Sequence, residues 1–131
     1  KDPKYAAGLV MRRAQFQQDL GRFEEAIKSY NAANEQPSST WGVTDCLVAL
    51  KQYGKAVQVV QQLESVGGQP ASQAGLKIAD IYRISGDKGK EVTQLRLVLK
   101  RYPKSGQSSE AHNRLESYGV ALIGGEAEAE E

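Results

Sequence analysis

Apolar residues recur along this chain at the three- and four-residue spacing that places them on one face of an α-helix. The clearest segment has Phe23, Ala26, Ile27, Tyr30 and Ala33 on a single stripe. Gly21 precedes the segment and Pro37 follows it, and such residues commonly mark helix ends. The pattern therefore predicts a helix up to about residue 19, a turn at Gly21, and a second helix over residues 23–36.

The same organisation returns further along the chain. The second unit has apolar stripes at Val43, Cys46, Leu47 and Leu50, and then at Ala56, Val57, Val60 and Leu63. The prolines Pro3, Pro37, Pro70 and Pro103 are 34, 33 and 33 residues apart. A helical hairpin of this size cannot bury its own stripe, so it needs similar hairpins stacked beside it.

Three irregularities are visible in the repeat. The first helix has the apolar stripe Tyr5, Leu9, Phe16 and Leu20, and such a stripe usually faces the core. Its irregularity is that Arg13 and Gln17 stand where later repeats have apolar residues, which suits a terminal repeat. The first helix of the second unit is predicted to be about one turn short. In the third unit Glu91 stands where the other two units have Ala26 and Ala56. A buried carboxylate without a partner is costly, so we expect looser packing there or a Glu91 that turns outward.

The end of the chain predicts one more helix, over residues 105–119, whose stripe comprises Ala111, Leu115, Tyr118 and Leu122. We expect this helix to cover the exposed face of the third unit, as a cap does. Residues 124–131 are rich in glutamate and alanine, a composition typical of a disordered tail.

These features resemble the tetratricopeptide repeat family. The residues that carry the resemblance are Gly21, Phe23, Ala26, Tyr30 and Ala33, then Tyr53 and Ala56, then Ile78, Ala79, Tyr82, Gly86, Asp87 and Pro103. The resemblance implies an all-α, right-handed superhelix of three antiparallel helix pairs plus a C-terminal capping helix. The domain would span residues 1–123, with repeats at about 3–37, 38–70 and 71–103 and the cap at about 105–122. The segment 101–105 is also similar to bacterial cell-envelope members of the family.

In this family the first helices line a concave groove that binds peptides or partner domains. Matching the repeats places three successive rows of side chains on the inward face. We take members of these rows as candidate partner-binding residues: Met11, Trp41 and Leu76, then Gln15, Asp45 and Asp80, then Gln18 and Arg83. Apolar residues beside amides and carboxylates suit a peptide with apolar anchors and basic groups. The alternative is that Trp41 and Leu76 pack between helices and the aspartates are only solvated.

Composition excludes several other classes of function. The net charge of +1 gives no field that would favour nucleic acid or a membrane surface. His112 is the only histidine, so a histidine-centred triad or a multi-histidine metal site lacks its companions. Cys46 is the only cysteine and lies in an apolar stripe, which indicates a small buried residue. The segment 86–90 lacks the first glycine and the Ser or Thr of a phosphate-binding loop.

The sequence therefore predicts a non-enzymatic protein-protein interaction module, without cofactor or metal, that binds a protein or peptide in its groove. The alternative is a structural role, in which repeats self-associate end to end within a larger assembly. The chain begins at Lys1, so we expect a fragment or a mature product. The compartment stays open between the periplasm or cell envelope and the cytoplasm.

Overall fold

The computed structural model describes residues 3–66 and 68–123, and it is all-α in this part of the chain, as predicted. The described helices are α1 (Pro3–Asp19), α2 (Phe23–Ala33), α3 (Ser38–Ala49), α4 (Tyr53–Glu64), α5 (Gly68–Ser85), α6 (Lys88–Arg101) and α7 (Gly106–Ser117). The predicted acidic tail, 124–131, lies outside the described residues.

The first, third and fifth helices end in the same turn. Gly21, Lys51 and Gly86 each adopt the left-handed conformation, with φ of 80°, 62° and 88°. In each case the amide of this residue and the amide after it donate to carbonyls three and five residues earlier in the chain, the pattern of a Schellman motif. The turn predicted at Gly21 is therefore confirmed, and the same turn occurs again at Lys51 and Gly86.

Helix lengths follow the predicted irregularity of the second unit. Helix α3 has 12 residues, whereas α1 has 17 and α5 has 18, so α3 is more than one turn shorter. The end predicted for α2 at residue 36 is wrong, because Asn34 is left-handed and ends the helix after Ala33. Helix α5 already begins at Gly68, so Pro70 lies in its first turn, where a missing amide proton costs little.

The chain divides into two compact units, Lys1–Leu63 and Glu64–Glu131. In the first unit α2 packs against both α1 and α3, and α1 also contacts α3. Ala26 and Ala56, the small residues of the repeat pattern, are completely buried. Cys46 is completely buried as well, which confirms its predicted place in the core.

The apolar stripe of α1 does not face the core, which corrects the expectation from periodicity. Tyr5, Leu9, Phe16 and Leu20 are 69%, 48%, 64% and 53% exposed. The opposite face of α1 packs against α2, where Ala14 is completely buried and Ser29 donates a hydrogen bond of 2.6 Å to Gln17. A small residue and hydrogen-bonding amides let the two helices approach closely, so this less apolar face is the one that is covered.

In the second unit α7 packs on α5 and α6. Its Ala111 and Leu115 are completely buried in one cluster with Ala79, Leu95 and Val98. Tyr118 and Leu122 lie at the edge of that cluster. The prediction that the last helix covers the third hairpin is therefore confirmed.

Candidate functional site

Five of the predicted partner-binding residues lie in the first unit, on α1 and α3. Met11 and Gln15 are one helical turn apart on α1, and Trp41 and Asp45 are one turn apart on α3, so each pair shares a face. Met11 and Trp41 are half-buried, whereas Gln15 and Asp45 are exposed. The Sδ atom of Met11 lies 3.5 Å from Ser39 Oγ, which joins α1 to α3 at this place.

The Tyr30 hydroxyl organises the polar part of this face. It donates to Gln18 Oε1 at 2.6 Å, and Gln15 Oε1 lies 3.4 Å away. Burial raises the pKa of Tyr30, and Cys46, Asp45 and Asp19 nearby raise it further. Amide and carboxylate oxygens of α1 and α3 therefore lie around one phenol. Gln18 is engaged in the packing of α1 on α2.

The other three predicted residues, Leu76, Asp80 and Arg83, lie on α5 in the second unit. Leu76 is half-buried and packs against the core cluster of that unit, as the packing interpretation of this residue requires. Arg83 is exposed and lies 3.7 Å from Asp80. Asp80 also accepts a hydrogen bond of 2.8 Å from Arg114 on α7. Asp80 therefore helps to hold the last helix in place.

Asp80, Glu91 and Arg114 form a cluster of charged side chains that the sequence did not predict. Glu91 is 1% exposed, so of the two alternatives expected for this residue, the outward orientation is wrong. Its carboxylate accepts from the Tyr118 hydroxyl at 2.7 Å and lies 3.4 Å from Arg114 Nη1. These partners are Arg114 of α7 and Tyr118 directly after α7, 23 and 27 residues further along the chain. They remove the cost that an unpaired carboxylate would have.

Arg114 is the centre of this cluster. Its guanidinium also contacts Glu110 at 3.1 Å, so it pairs with three carboxylates, and its side chain is only 10% exposed. Burial lowers the pKa of Arg114, but the hydrogen bonds and charges of Asp80 and Glu110 together raise it above its ordinary value. A sequence signal was available, because Arg114 is three residues after Ala111 and four before Tyr118 and therefore lies beside the predicted stripe.

Cys46 and His112 are the one cysteine and the one histidine of the chain, and these residue types are often used in nucleophilic or metal-binding chemistry. Within residues 3–66 and 68–123, no group of three or more His, Cys, Asp or Glu side chains could hold a metal ion. Burial raises the pKa of the Cys46 thiol to about 11, which suppresses the nucleophilic thiolate. His112 lies on α7, 42% exposed, with Nδ1 3.6 Å from the Glu116 carboxylate.

Helices joined by the same left-handed turn at three places define a helical repeat protein. A family model described as a tetratricopeptide repeat matches residues 7–37. This segment, which covers most of α1 and all of α2, is similar to a tetratricopeptide repeat. No curated protein and no solved structure is similar enough to the chain to count as a match. Repeats of this family generally mediate protein-protein interactions. Among the described helices, none combines the length and apolarity that crossing a bilayer demands.

Proposed function

We propose that this chain is a non-enzymatic module that binds a peptide or partner domain through the inward faces of its first helices. The general role of the matched family supports protein binding. The observation that carries the proposal is the face of the first unit where half-buried Met11 and Trp41 lie on the same helix faces as Gln15 and Asp45. Apolar anchors beside hydrogen-bond acceptors are what a peptide-binding surface requires.

The chemistry of this face favours a basic ligand. Its polar groups are amides and carboxylates, and Asp19 accepts a hydrogen bond from Gln15 at its edge. A ligand carboxylate would meet repulsion here, whereas Lys or Arg next to an apolar side chain would find both an anion and an apolar contact. We therefore expect ligands that combine an apolar anchor with one or two positive charges.

The proposal is tested by selecting peptides from a random display library against the whole chain and measuring their affinities by calorimetry. Selected peptides should be enriched in Lys or Arg beside an apolar residue. Asp45→Ala should weaken their binding about tenfold, because it removes an exposed carboxylate from the site. Asp80 is not used for this test, because a change there would also disturb Arg114 and α7.

Glu24→Ala provides the matched control. Glu24 is an exposed carboxylate in the first turn of α2, outside the proposed face. Its removal should leave peptide affinity unchanged, and circular dichroism should show that both variants remain folded. Equal affinities for the wild type and Asp45→Ala would contradict the proposed site.

A further inference from the structure

The exposed residues Tyr5, Leu9, Phe16 and Leu20, here named the outer stripe of α1, form a second apolar surface. At 3.6 residues per turn they lie within about 60° of one another around the helix, and they extend for about 22 Å along it. All four are roughly half or more exposed. Single exposed apolar residues are common on protein surfaces, whereas a continuous apolar row of this length commonly marks an interaction site.

The chain itself shows what covers the corresponding face of another helix. Aligning the turn residues Gly21 and Lys51 places Ser39 and Cys46 of α3 at the positions of Leu9 and Phe16. Ser39 is 2% exposed and Cys46 is completely buried. This side of α3 packs on α2 so closely that a Cβ atom on Gly42 would overlap the Tyr30 ring. The face is thus a helix-packing face, and on α1 it is exposed.

The charges beside the outer stripe indicate the kind of helix that fits. Arg12 and Arg13 occupy the middle of α1, one on each side of the stripe, and both are exposed. Asp19, the last residue of α1, lies on the same side of the outer stripe as Arg12. A helix packed on the stripe would place its flanking residues against two guanidinium groups, which pair well with carboxylates.

We propose that the outer stripe of α1 binds an amphipathic helix of about four turns whose apolar residues are flanked by Glu or Asp. This surface goes beyond the proposed function, because it lies on the side of α1 opposite the residues that contact α2. The two surfaces differ in charge, since the inward face favours basic ligands and the outer stripe favours an acidic helix.

A second copy of the chain fits this surface less well. In an antiparallel pair of α1 helices, Tyr5 would face Leu20 and Leu9 would face Phe16 of the other copy. The same symmetry brings Arg12 of one copy close to Arg12 of the other, and Arg13 close to Arg13, at the centre of the contact. Like charges placed opposite each other disfavour pairing, so the charges point to a different partner.

An anionic membrane also fits less well. Helices that lie on membranes combine a wide apolar face with a polar face rich in Lys and Arg that remains in water. The side of α1 opposite the outer stripe is instead covered by α2, through buried Ala14 and through Gln17 and Gln18. The apolar row is narrow and has the dimensions of a contact between two helices.

The test uses three synthetic helical peptides of 18 residues with the whole chain. They share leucines at three- and four-residue spacing and differ in the flanking positions, which carry Glu in one, Lys in the second, and a scrambled order of the Glu sequence in the third. The Glu-flanked peptide should bind at least about tenfold more tightly than either of the others, as measured by fluorescence anisotropy. Equal binding of the Glu-flanked and Lys-flanked peptides would overturn the proposal.

Variants then locate the site. Phe16→Glu should weaken the Glu-flanked peptide at least about tenfold, whereas Ile84→Glu, at an equally accessible apolar residue of α5 that is 53% exposed, should not. The double variant Arg12→Glu with Arg13→Glu should reverse the preference in favour of the Lys-flanked peptide. Circular dichroism checks that each variant is folded, and an unchanged affinity of Phe16→Glu would overturn the assignment.

Two further measurements distinguish the proposed acidic helix from a second copy of the chain and from a membrane as the partner of the outer stripe. Sedimentation of the chain over a range of concentrations should give a monomer. Self-association that Phe16→Glu abolishes would assign the stripe to a second copy and overturn the proposal. Binding to vesicles of anionic phospholipid that Phe16→Glu abolishes would assign the stripe to a membrane, with the same consequence. Loss of Asp45-dependent peptide binding would affect only the proposed function, because Asp45 lies on a different helix from the outer stripe.

Discussion

Glu91 carries a carboxylate into the interior of the second unit, where the equivalent positions of the first unit hold alanine. It is tolerated because Arg114 of α7 and Tyr118 directly after α7 supply a charge-assisted contact and a hydrogen bond at 3.4 and 2.7 Å. The same arginine binds Asp80 of α5. The last helix is thus held by a buried polar cluster in addition to its apolar stripe, and each member depends on the others being present.

Arg114→Met should lower the free energy of unfolding by about 3–5 kcal/mol, because it leaves Glu91 buried without its positive partner. Adding Glu91→Ala should recover part of this loss, since the unpaired carboxylate is then removed and alanine is the residue of the other two hairpins. Urea unfolding of the two variants and the wild type measures both effects. A double variant that is no more stable than Arg114→Met would show that Glu91 carries no such penalty.

The Cys46 thiol makes the stability of the folded state depend on pH. Burial, with a smaller contribution from Asp45, raises its pKa from 9.0 to about 11. The folded state therefore favours the protonated thiol, and the stability that depends on it is complete below about pH 9 and is lost as the pH rises through about 11.

At pH 8 the folded protein should react with Ellman's reagent at least about 100-fold more slowly than the protein in denaturant, because both burial and the raised pKa suppress the thiolate. Cys46→Ala should lose the part of the pH dependence of stability that falls between about pH 9 and 11. Rapid reaction of the native protein would contradict the buried position.

At the scale of the element, the contact between α2 and α3 depends on the absence of a side chain at Gly42. Alanine is the better helix former, but its Cβ atom would overlap the ring of Tyr30, which is 3% exposed and held by Gln18. Close packing of this kind tolerates added volume poorly.

Gly42→Ala should destabilise the protein by about 1–3 kcal/mol through overpacking against Tyr30. Gly8→Ala is the matched control, because Gly8 also lies within a helix but no atom lies within 4 Å of a Cβ atom placed there. The control should be stabilised by about 0.5–1 kcal/mol from helix propensity alone. Thermal unfolding distinguishes the two, and a Gly42→Ala variant as stable as Gly8→Ala would contradict the packing of α2 on α3.

The elements were largely predictable from the sequence because their signals are local. The turns before Phe23 and Tyr53 and at Gly86, the short third helix and the covering role of α7 all follow from spacing along the chain. The orientation of α1 was not predictable in this way, since periodicity locates a stripe but does not say which face a neighbour covers. The ion pair of Glu91 was missed because its partner is distant in sequence.

For the molecule as a whole, the repeated left-handed turns and the match of residues 7–37 support protein binding as its role. Five predicted site residues share the faces of α1 and α3 in the first unit, and the hydrogen bonds of Tyr30 connect two of them. The other three lie on α5, where Leu76 and Asp80 are already engaged with their own unit. The superhelical arrangement and the groove stay predictions, because they depend on how successive repeats are stacked.

The most direct test of the protein-binding claim is a nuclear magnetic resonance titration of the whole chain with a library-selected basic peptide. We predict that the largest amide shift changes fall on residues 11–18 of α1 and 41–45 of α3, and that Asp45→Ala reduces them in proportion to its loss of affinity. Saturable binding whose shift changes lie elsewhere, with Asp45→Ala behaving as the wild type, would contradict the account.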